Sequence, residues 1–170
     1  MPGSTVPAET TAILTETTMP KLPKPPGHHT ITPGFAVPNA TRVLEFLQKA
    51  FGAKLVDKYD APDGSIAHCE IMIGDSVVMF GEANPAHGME AMPASLSYYV
   101  DDGAAVDATY KRAVASGGKS MMEPKDQFYG YRSATVKDPG GNKWTICAIV
   151  EQLTPEEMRK RADTMMKGAK

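Results

Sequence analysis

Two side chains that could move a proton together, His68 and Glu70, stand two residues apart in the run Ile66–Ile73. Alternation along an extended strand puts them on one face. An imidazole beside a carboxylate, both within reach of one bound molecule, is a general acid–base pair. The small or apolar set Ala67, Cys69, Ile71 and Ile73 is expected to face helices, leaving His68 and Glu70 beside Ile66 and Met72. An ordinary polar pair on a partly solvated strand is the stronger reading, because no nucleophile or oxyanion device accompanies them. His68 as a polar handle for a bound ligand asks less of the sequence.

The other histidines are scattered. His28 and His29 border a proline-rich stretch, and His87 lies in a loop. Transition metals need imidazole, thiolate or carboxylate donors, so a new metal site would have to be assembled from His28, His29, His68, Glu70 and His87. Cys69 and Cys147 each lie inside an apolar, strand-like run and read as buried, reduced thiols. Phe128, Tyr129 and Tyr131 cluster in sequence, and Tyr98 and Tyr99 end another strand-like run. Aromatic walls with a few polar groups are what small-molecule pockets use; a strand-end cluster or a subunit interface is the competing reading. The loop Glu82–Ala94 holds His87, Met89 and Met92 among Gly, Pro and Ala, and could close over a pocket or simply join two halves.

The elements that must position these residues repeat. Thr30–Val37 reads as a strand, with Asn39 as the N-cap of the next element. A helix follows over Ala40–Phe51, its apolar residues at helical spacing, ended by Gly52. Lys54–Tyr59, Ile66–Ile73 and Ser76–Gly81 read as strands, the last two joined by the tight loop Gly74-Asp75. The order then recurs: strand Leu96–Val100, capping residues Asp101-Asp102, helix Ala104–Val114, stop Gly117-Gly118. Strand Lys119–Met122, turn Glu123–Asp126, and strands Tyr131–Lys137 and Lys143–Val150 complete it. Val37-Pro38-Asn39 echoes Val100-Asp101-Asp102, so each half is strand, helix, then three strands. Thr154-Pro155-Glu156-Glu157 is a capping box opening a C-terminal helix. Its stripe of Met158, Arg161, Ala162, Met165 and Met166 is expected to pack on the domain or on a neighbouring chain.

The fold class expected is α+β: two βαβββ repeats forming a curved mixed β-sheet cleft, plus the C-terminal helix. Residues 1–28 form a Pro- and Thr-rich arm, disordered or extended, or draped over the domain or a partner. Residues 29–150 form the domain, with halves 29–82 and 95–150, and 151–170 the C-terminal helix. By the repeat, Tyr131, Ser133 and Thr135 face the cleft, with Thr145 and Cys147 from the last strand. Arg132 points the other way, free to reach solvent or a partner, and Trp144 and Ile146 enter the core.

Composition narrows the function classes. Apolar residues make up 42% and charged residues 22% of the 170-residue chain, and its net charge is −2. That charge gives a nucleic-acid role no electrostatic footprint. No apolar run approaches the ~20 residues of a membrane helix, and the first residues lack the basic-then-apolar order of a secretory signal. A cytoplasmic protein is expected, with neither nucleic acid nor membrane as partner.

Several words of the sequence, in the right order, resemble the vicinal-oxygen-chelate superfamily, in particular its PhnB-like branch. They are Gly34-Phe35-Ala36-Val37-Pro38-Asn39-Ala40, Phe46-Leu47-Gln48-Lys49-Ala50-Phe51-Gly52-Ala53, the run Ala67–Met79, Asp126-Gln127-Phe128-Tyr129-Gly130-Tyr131-Arg132, and Val136–Thr145 with its Asp138-Pro139-Gly140-Gly141-Asn142 turn. The similarity runs from about Thr30 to Ala162. The superfamily includes glyoxalase I, extradiol dioxygenases, fosfomycin-modifying enzymes and bleomycin-binding resistance proteins, so the resemblance speaks to fold more than to chemistry. Three positions depart from the branch. It usually has an acidic residue at Tyr131, an aromatic one at Gly140 and a histidine at Asn142, which implies a different ligand.

The resemblance also implies where a metal would sit. Metal-dependent members place His, Glu or Gln on four strands. Counted back from Val37, those positions fall on Thr32, Met79, Ser95 and Thr145. None is a competent donor for zinc, nickel, iron or manganese. The leading expectation is therefore a binding protein without metal or cofactor that holds a small organic molecule, with His68, Glu70, Met79, Ser97, Tyr99, Phe128, Tyr129, Tyr131, Arg132, Thr145 and Cys147 as candidate contacts. The alternatives are an enzyme of this superfamily (a lyase, isomerase or dioxygenase) with a non-standard site, and an interaction protein with a vestigial cleft. A homodimer is implied, since related proteins often build each cleft from halves of two chains.

Overall fold

The computed structural model of the protein describes residues 24–168. Its first strand, β1 (Gly34–Val37), leads into helix α1 (Ala40–Phe51) and then β2 (Lys54–Asp60), β3 (Ile66–Ile73) and β4 (Ser76–Glu82). A short 3-10 turn, Pro85–His87, lies in the connection. The second half is β5 (Ser95–Tyr99), α2 (Gly103–Ala115), β6 (Lys119–Asp126), β7 (Tyr131–Lys137) and β8 (Lys143–Ile149), followed by α3 (Pro155–Gly168). The two four-stranded sheets have the same plan, β1-β4-β3-β2 and β5-β8-β7-β6. In each, the first strand runs parallel to the last and the other pairs are antiparallel. The duplication expected from the sequence is thus present strand for strand.

Several boundaries differ from expectation. β1 starts at Gly34 rather than Thr30, because Pro33 has no N–H to give to a ladder, although its carbonyl still accepts from Met79 N at 2.9 Å. β6 continues through Glu123–Asp126, where a turn was expected. Register shifts between Ser120 and Lys125 absorb Pro124 on an edge strand, where proline is tolerated.

The helices start differently in the two halves. Asp102 is extended and its carboxylate accepts from Ala105 N at 2.8 Å, a normal cap. Asn39 instead has φ 60° and its side chain caps nothing. The Glu82 carboxylate, at the end of the neighbouring strand, accepts from Asn39 N and Ala40 N, both at 2.7 Å. A left-handed backbone at this position forgoes the extended geometry from which a capping side chain reaches the first turn. At α3 the expected capping box forms: Thr154 Oγ1 accepts from Glu157 N, and the Glu157 carboxylate accepts from Thr154 N at 2.8 Å. These bonds hold the Glu157 carboxyl below its usual range.

One core joins both halves. Val37, Val43, Phe46 and Leu47 of the first half and Val106, Val136 and Ile146 of the second are at most 1% exposed within a single cluster. Phe51 ties them together, with its ring 4.9 Å from Tyr98 and 5.1 Å from Trp144. The turn before β8 is fixed by Asp138, whose carboxylate accepts from Gly140 N, Asn142 N, Asn142 Nδ2 and Trp144 Nε1 at 2.7–2.9 Å. α3 is tethered mainly through Arg161, which donates to both Glu151 carboxylate oxygens and to the Phe128 carbonyl. Its stripe is only partly covered: Met158 and Ala162 are half-buried, while Met165 and Met166 are exposed.

Candidate functional site

Each sheet has one face in the core and one concave face outside it. On β3, Cys69, Ile71 and Ile73 enter the core, and His68, Glu70 and Met72 lie opposite, as expected. At the start of the strand the pattern inverts. Ile66 is buried and Ala67 exposed, contrary to expectation, because the β2–β3 register slips between Tyr59 and Asp60. Burial raises the pKa of the Cys69 thiol to about 11, so it carries no thiolate chemistry at neutral pH.

His68 Nε2 lies 3.1 Å from Glu70 Oε1. His28 Nε2 approaches the other carboxylate oxygen at 3.3 Å. Across β2, Asp57 is the register partner of Glu70 and Tyr59 that of His68. The Tyr59 and His68 rings are 6.1 Å apart. The hydrogen bond to Asp57, foremost, raises the Tyr59 hydroxyl pKa. The sequence named His68 and Glu70, and His28 only as a possible metal donor beside them, but missed Asp57 and Tyr59. The turn Ala61–Gly64 offered a signal for the last two, since a hairpin there sets β2 against β3. Met79, on β4, joins His68, Met89 and Met92 around a groove of about 300 Å³. The connecting loop thus reaches the site, with Met92 N donating to the Ala36 carbonyl at 2.8 Å. His87 bonds Asn84 and His29 bonds the Asp75 carbonyl.

On the second sheet Ser97, Tyr99, Thr145 and Cys147 share the concave face with Tyr131, Ser133 and Thr135, while Trp144 and Ile146 enter the core. The aromatic residues form a chain: Tyr99 to Tyr131 at 6.3 Å, Tyr131 to Tyr129 at 5.5 Å, and Tyr129 to Phe128 at 5.2 Å. Tyr98 is excluded, since it packs in the core on Phe51. Phe128 lies at the far end, beside a surface hollow under Arg161 and Met165 of α3. The Cys147 sulfur beside Tyr99 is the first cause of a raised Tyr99 pKa.

Arg132 and Asn142 are both engaged within the chain. Arg132 is not free: its guanidinium is bidentate on Asp107 and also bonds Asp126, on the helix side of the sheet. Those carboxylates raise its pKa and it lowers that of Asp107. Asn142, at a branch position usually held by histidine, is fully buried and spent on Asp138 and Ala94 N.

His68 and Met79 line one groove, while Ser97 and Tyr99 line another cavity of about 340 Å³, against His29, Ile31 and Trp144. His68 and Tyr99 thus line different hollows of one chain.

Two of the four metal positions that the resemblance implies, Thr32 and Ser95, are not register partners of the other two. Thr32 lies outside any strand and donates to the His29 carbonyl, and Ser95 pairs with Lys143. The residues opposite Met79 and Thr145 are Gly34 and Ser97. Glycine, methionine, serine and threonine do not fit a transition-metal ion. Among the described residues no group of three His, Cys, Asp or Glu side chains converges as an ion requires, and no helix is long and apolar enough to cross a membrane.

The Glyoxalase/Bleomycin resistance protein/Dioxygenase superfamily model matches residues 24–146. An uncharacterized protein of Mycobacterium bovis is 26% identical over 138 residues, covering 76% of this chain and 89% of that protein. Among solved structures, TioX from Micromonospora sp. ML1 is 22% identical with a TM-score of 0.58, covering 70% of this chain and 97% of its own. A PhnB protein from Bacillus cereus is 17% identical with a TM-score of 0.57, covering 71% and 99%. The fosfomycin resistance protein FosX from Mesorhizobium loti is 20% identical with a TM-score of 0.53, covering 76% and 95%. With matched βαβββ halves, a shared core and a family model spanning most of its length, the chain belongs to the Glyoxalase/Bleomycin resistance protein/Dioxygenase superfamily.

Proposed function

We propose that the protein is a cytoplasmic, metal-free binding protein that holds a small organic molecule against its concave sheet faces. One observation carries this reading. At the corners where the resemblance puts an ion's ligands the chain has Thr32, Met79, Ser95 and Thr145, and the residues registered against Met79 and Thr145 are Gly34 and Ser97, none of them a donor an ion would choose. What remains is concave surface with a few polar groups: methionines, His68 and Glu70 on one sheet, tyrosines, Thr145 and Cys147 on the other. Such a surface binds planar or amphipathic molecules by apolar contact and orients them by a few hydrogen bonds.

The test has two parts. Protein purified from its native host is expected to contain far less than one transition metal per chain. A ligand from a panel of planar and amphipathic organics, at ~1,000 times its dissociation constant, is expected to stabilise the fold by about 4 kcal/mol. A stoichiometric metal whose removal abolishes ligand binding would sink the proposal. A second reading, an acid–base enzyme, is favoured by the 3.1 Å contact between His68 and Glu70. It requires turnover that a His68→Ala variant loses.

The working unit proposed is a homodimer. Both concave faces carry exposed apolar residues: Tyr59 and Met92 on the first, Tyr99 and Ile149 on the second. Isolated in one chain, each face is half a cleft. Apolar patches of this kind mark association surfaces. Sedimentation at micromolar concentration is expected to give twice the mass of the chain; a monomer would remove the dimer while leaving single-face binding intact.

A further inference from the structure

The approach to β1 does not run outside the domain but across the concave face of the first sheet. A Cβ on Gly27 would stand 2.7 Å from Met72 Cε and 3.6 Å from Val77 Cγ2, so the backbone there lies directly on that face. Met72 and Val77 are cross-strand partners, one from β3 and one from β4. The next residue, His28, turns its ring inward. Its side chain is 9% exposed, with Nε2 3.3 Å from Glu70 Oε2 and Nδ1 3.2 Å from the Pro26 carbonyl. Both ring nitrogens thus face acceptor oxygens. His29 then pins the segment to the β3–β4 hairpin through the Asp75 carbonyl, 3.1 Å away.

This is the geometry of a ligand supplied by the chain itself. A flat N–H-bearing ring sits on a carboxylate, with the backbone beside it on two apolar side chains. The surroundings suit a cation. Asp57 stands opposite Glu70 on the same face, and the lysines of β2 are Lys54, opposite Met72, and Lys58, opposite Cys69 and paired with Asp60. The fastening is weak. Among the described residues before Gly34, the polar side-chain contacts to the domain are those two histidine contacts, one backbone bond joins Met79 N to the Pro33 carbonyl, and most of the segment is solvent-exposed. Few buried contacts make a segment easy to open.

We propose that the segment Gly27–Pro33 is a displaceable strap, and that the His28 ring holds, on the Glu70 carboxylate, the place of a planar cationic N–H donor in the ligand. Such ligands are amidines, guanidines or protonated heteroaromatic amines with an apolar body. The body would replace the strap over Met72 and Val77. The inference rests on the small-molecule reading above and adds its ligand class and its gate.

Proflavine, a planar cationic diamine, is a suitable probe, titrated by fluorescence into the full chain. A strap latched about nine-tenths of the time weakens apparent affinity about tenfold. The His28→Ala variant is therefore expected to bind proflavine about tenfold more tightly than the wild type. A second substitution, Glu70→Gln, should remove that gain. In a Gly27→Cys/Val77→Cys variant, oxidation should lock the strap and lower affinity at least about tenfold, with dithiothreitol restoring it. The lock compares one folded variant with itself, so it does not depend on how well His28→Ala folds. Equal affinity in oxidised and reduced forms overturns the proposal, as does a gain in His28→Ala that survives Glu70→Gln. Proflavine binding that ignores the strap but falls in Tyr99→Ala overturns it while leaving the small-molecule reading standing. No saturable binding to any form also overturns it, and the panel of organics then judges that reading separately.

Discussion

Asp138→Ala is expected to lower the stability of the protein by about 4 kcal/mol. The carboxylate is 5% exposed and serves four donors: two backbone N–H groups, the Asn142 amide and the Trp144 indole. Removing it leaves all four in a place that water reaches poorly, and each unsatisfied buried donor costs about 1–3 kcal/mol in isolation. Partial collapse and water entry bring the sum below four times that value. Thermal unfolding should show the loss as a midpoint lower by roughly 8–16 °C. Asp138→Asn separates the contributions. An amide keeps one acceptor oxygen, so about half the loss is expected, because two donors retain a partner. A change under 1 kcal/mol for the alanine variant would mean that the turn is held by packing alone.

Gly140→Ala is expected to cost about 2 kcal/mol by overpacking. A Cβ there would lie 2.6 Å from Val43 Cγ2 and 2.9 Å from Val37 Cβ. Val37 and Val43 are fully buried in β1 and α1, whereas Gly140 belongs to the β7–β8 turn. This is where one half of the molecule rests directly on the other, so the backbone cannot yield without separating them. Denaturant unfolding measures the cost, and Gly141→Ala is the comparison. Gly141 has φ 95° but only Pro93 side-chain atoms near its missing Cβ, at 3.5 Å and 3.8 Å. Its penalty is conformational rather than steric. Full stability in Gly140→Ala would show that the two halves shift freely. The space beside Gly140 is filled by valines from the other half.

Much of the fold was legible because its signals are local. Helical spacing in Ala40–Phe51, the left-handed stop at Gly52 and the Thr154–Glu157 capping box each depend on residues a few positions apart. Alternation named Cys69 and Ile71 as core and His68 and Glu70 as surface for the same reason. The errors lie where a distant group intervened. Glu82 caps α1 from another strand, and Asp107 claims Arg132 from another helix. Neither partner is marked in the sequence near the residue it serves.

The candidate site divides along the same line. The residue types at the metal positions that the resemblance implies, and the placing of His68 and Glu70 on one face, follow from the order of amino acids, because strand alternation is set by backbone geometry alone. Which residues meet across strands does not. The β1–β4 and β5–β8 registers set Gly34 against Met79 and Ser97 against Thr145, and the path of the chain before β1 laid His28 on Glu70. Register and chain path are decided by the packing of the whole core, where Val37, Phe51 and Trp144 choose one arrangement for both halves together. Local patterning names the side chains of a strand face; only the assembled core brings a particular imidazole to a particular carboxylate.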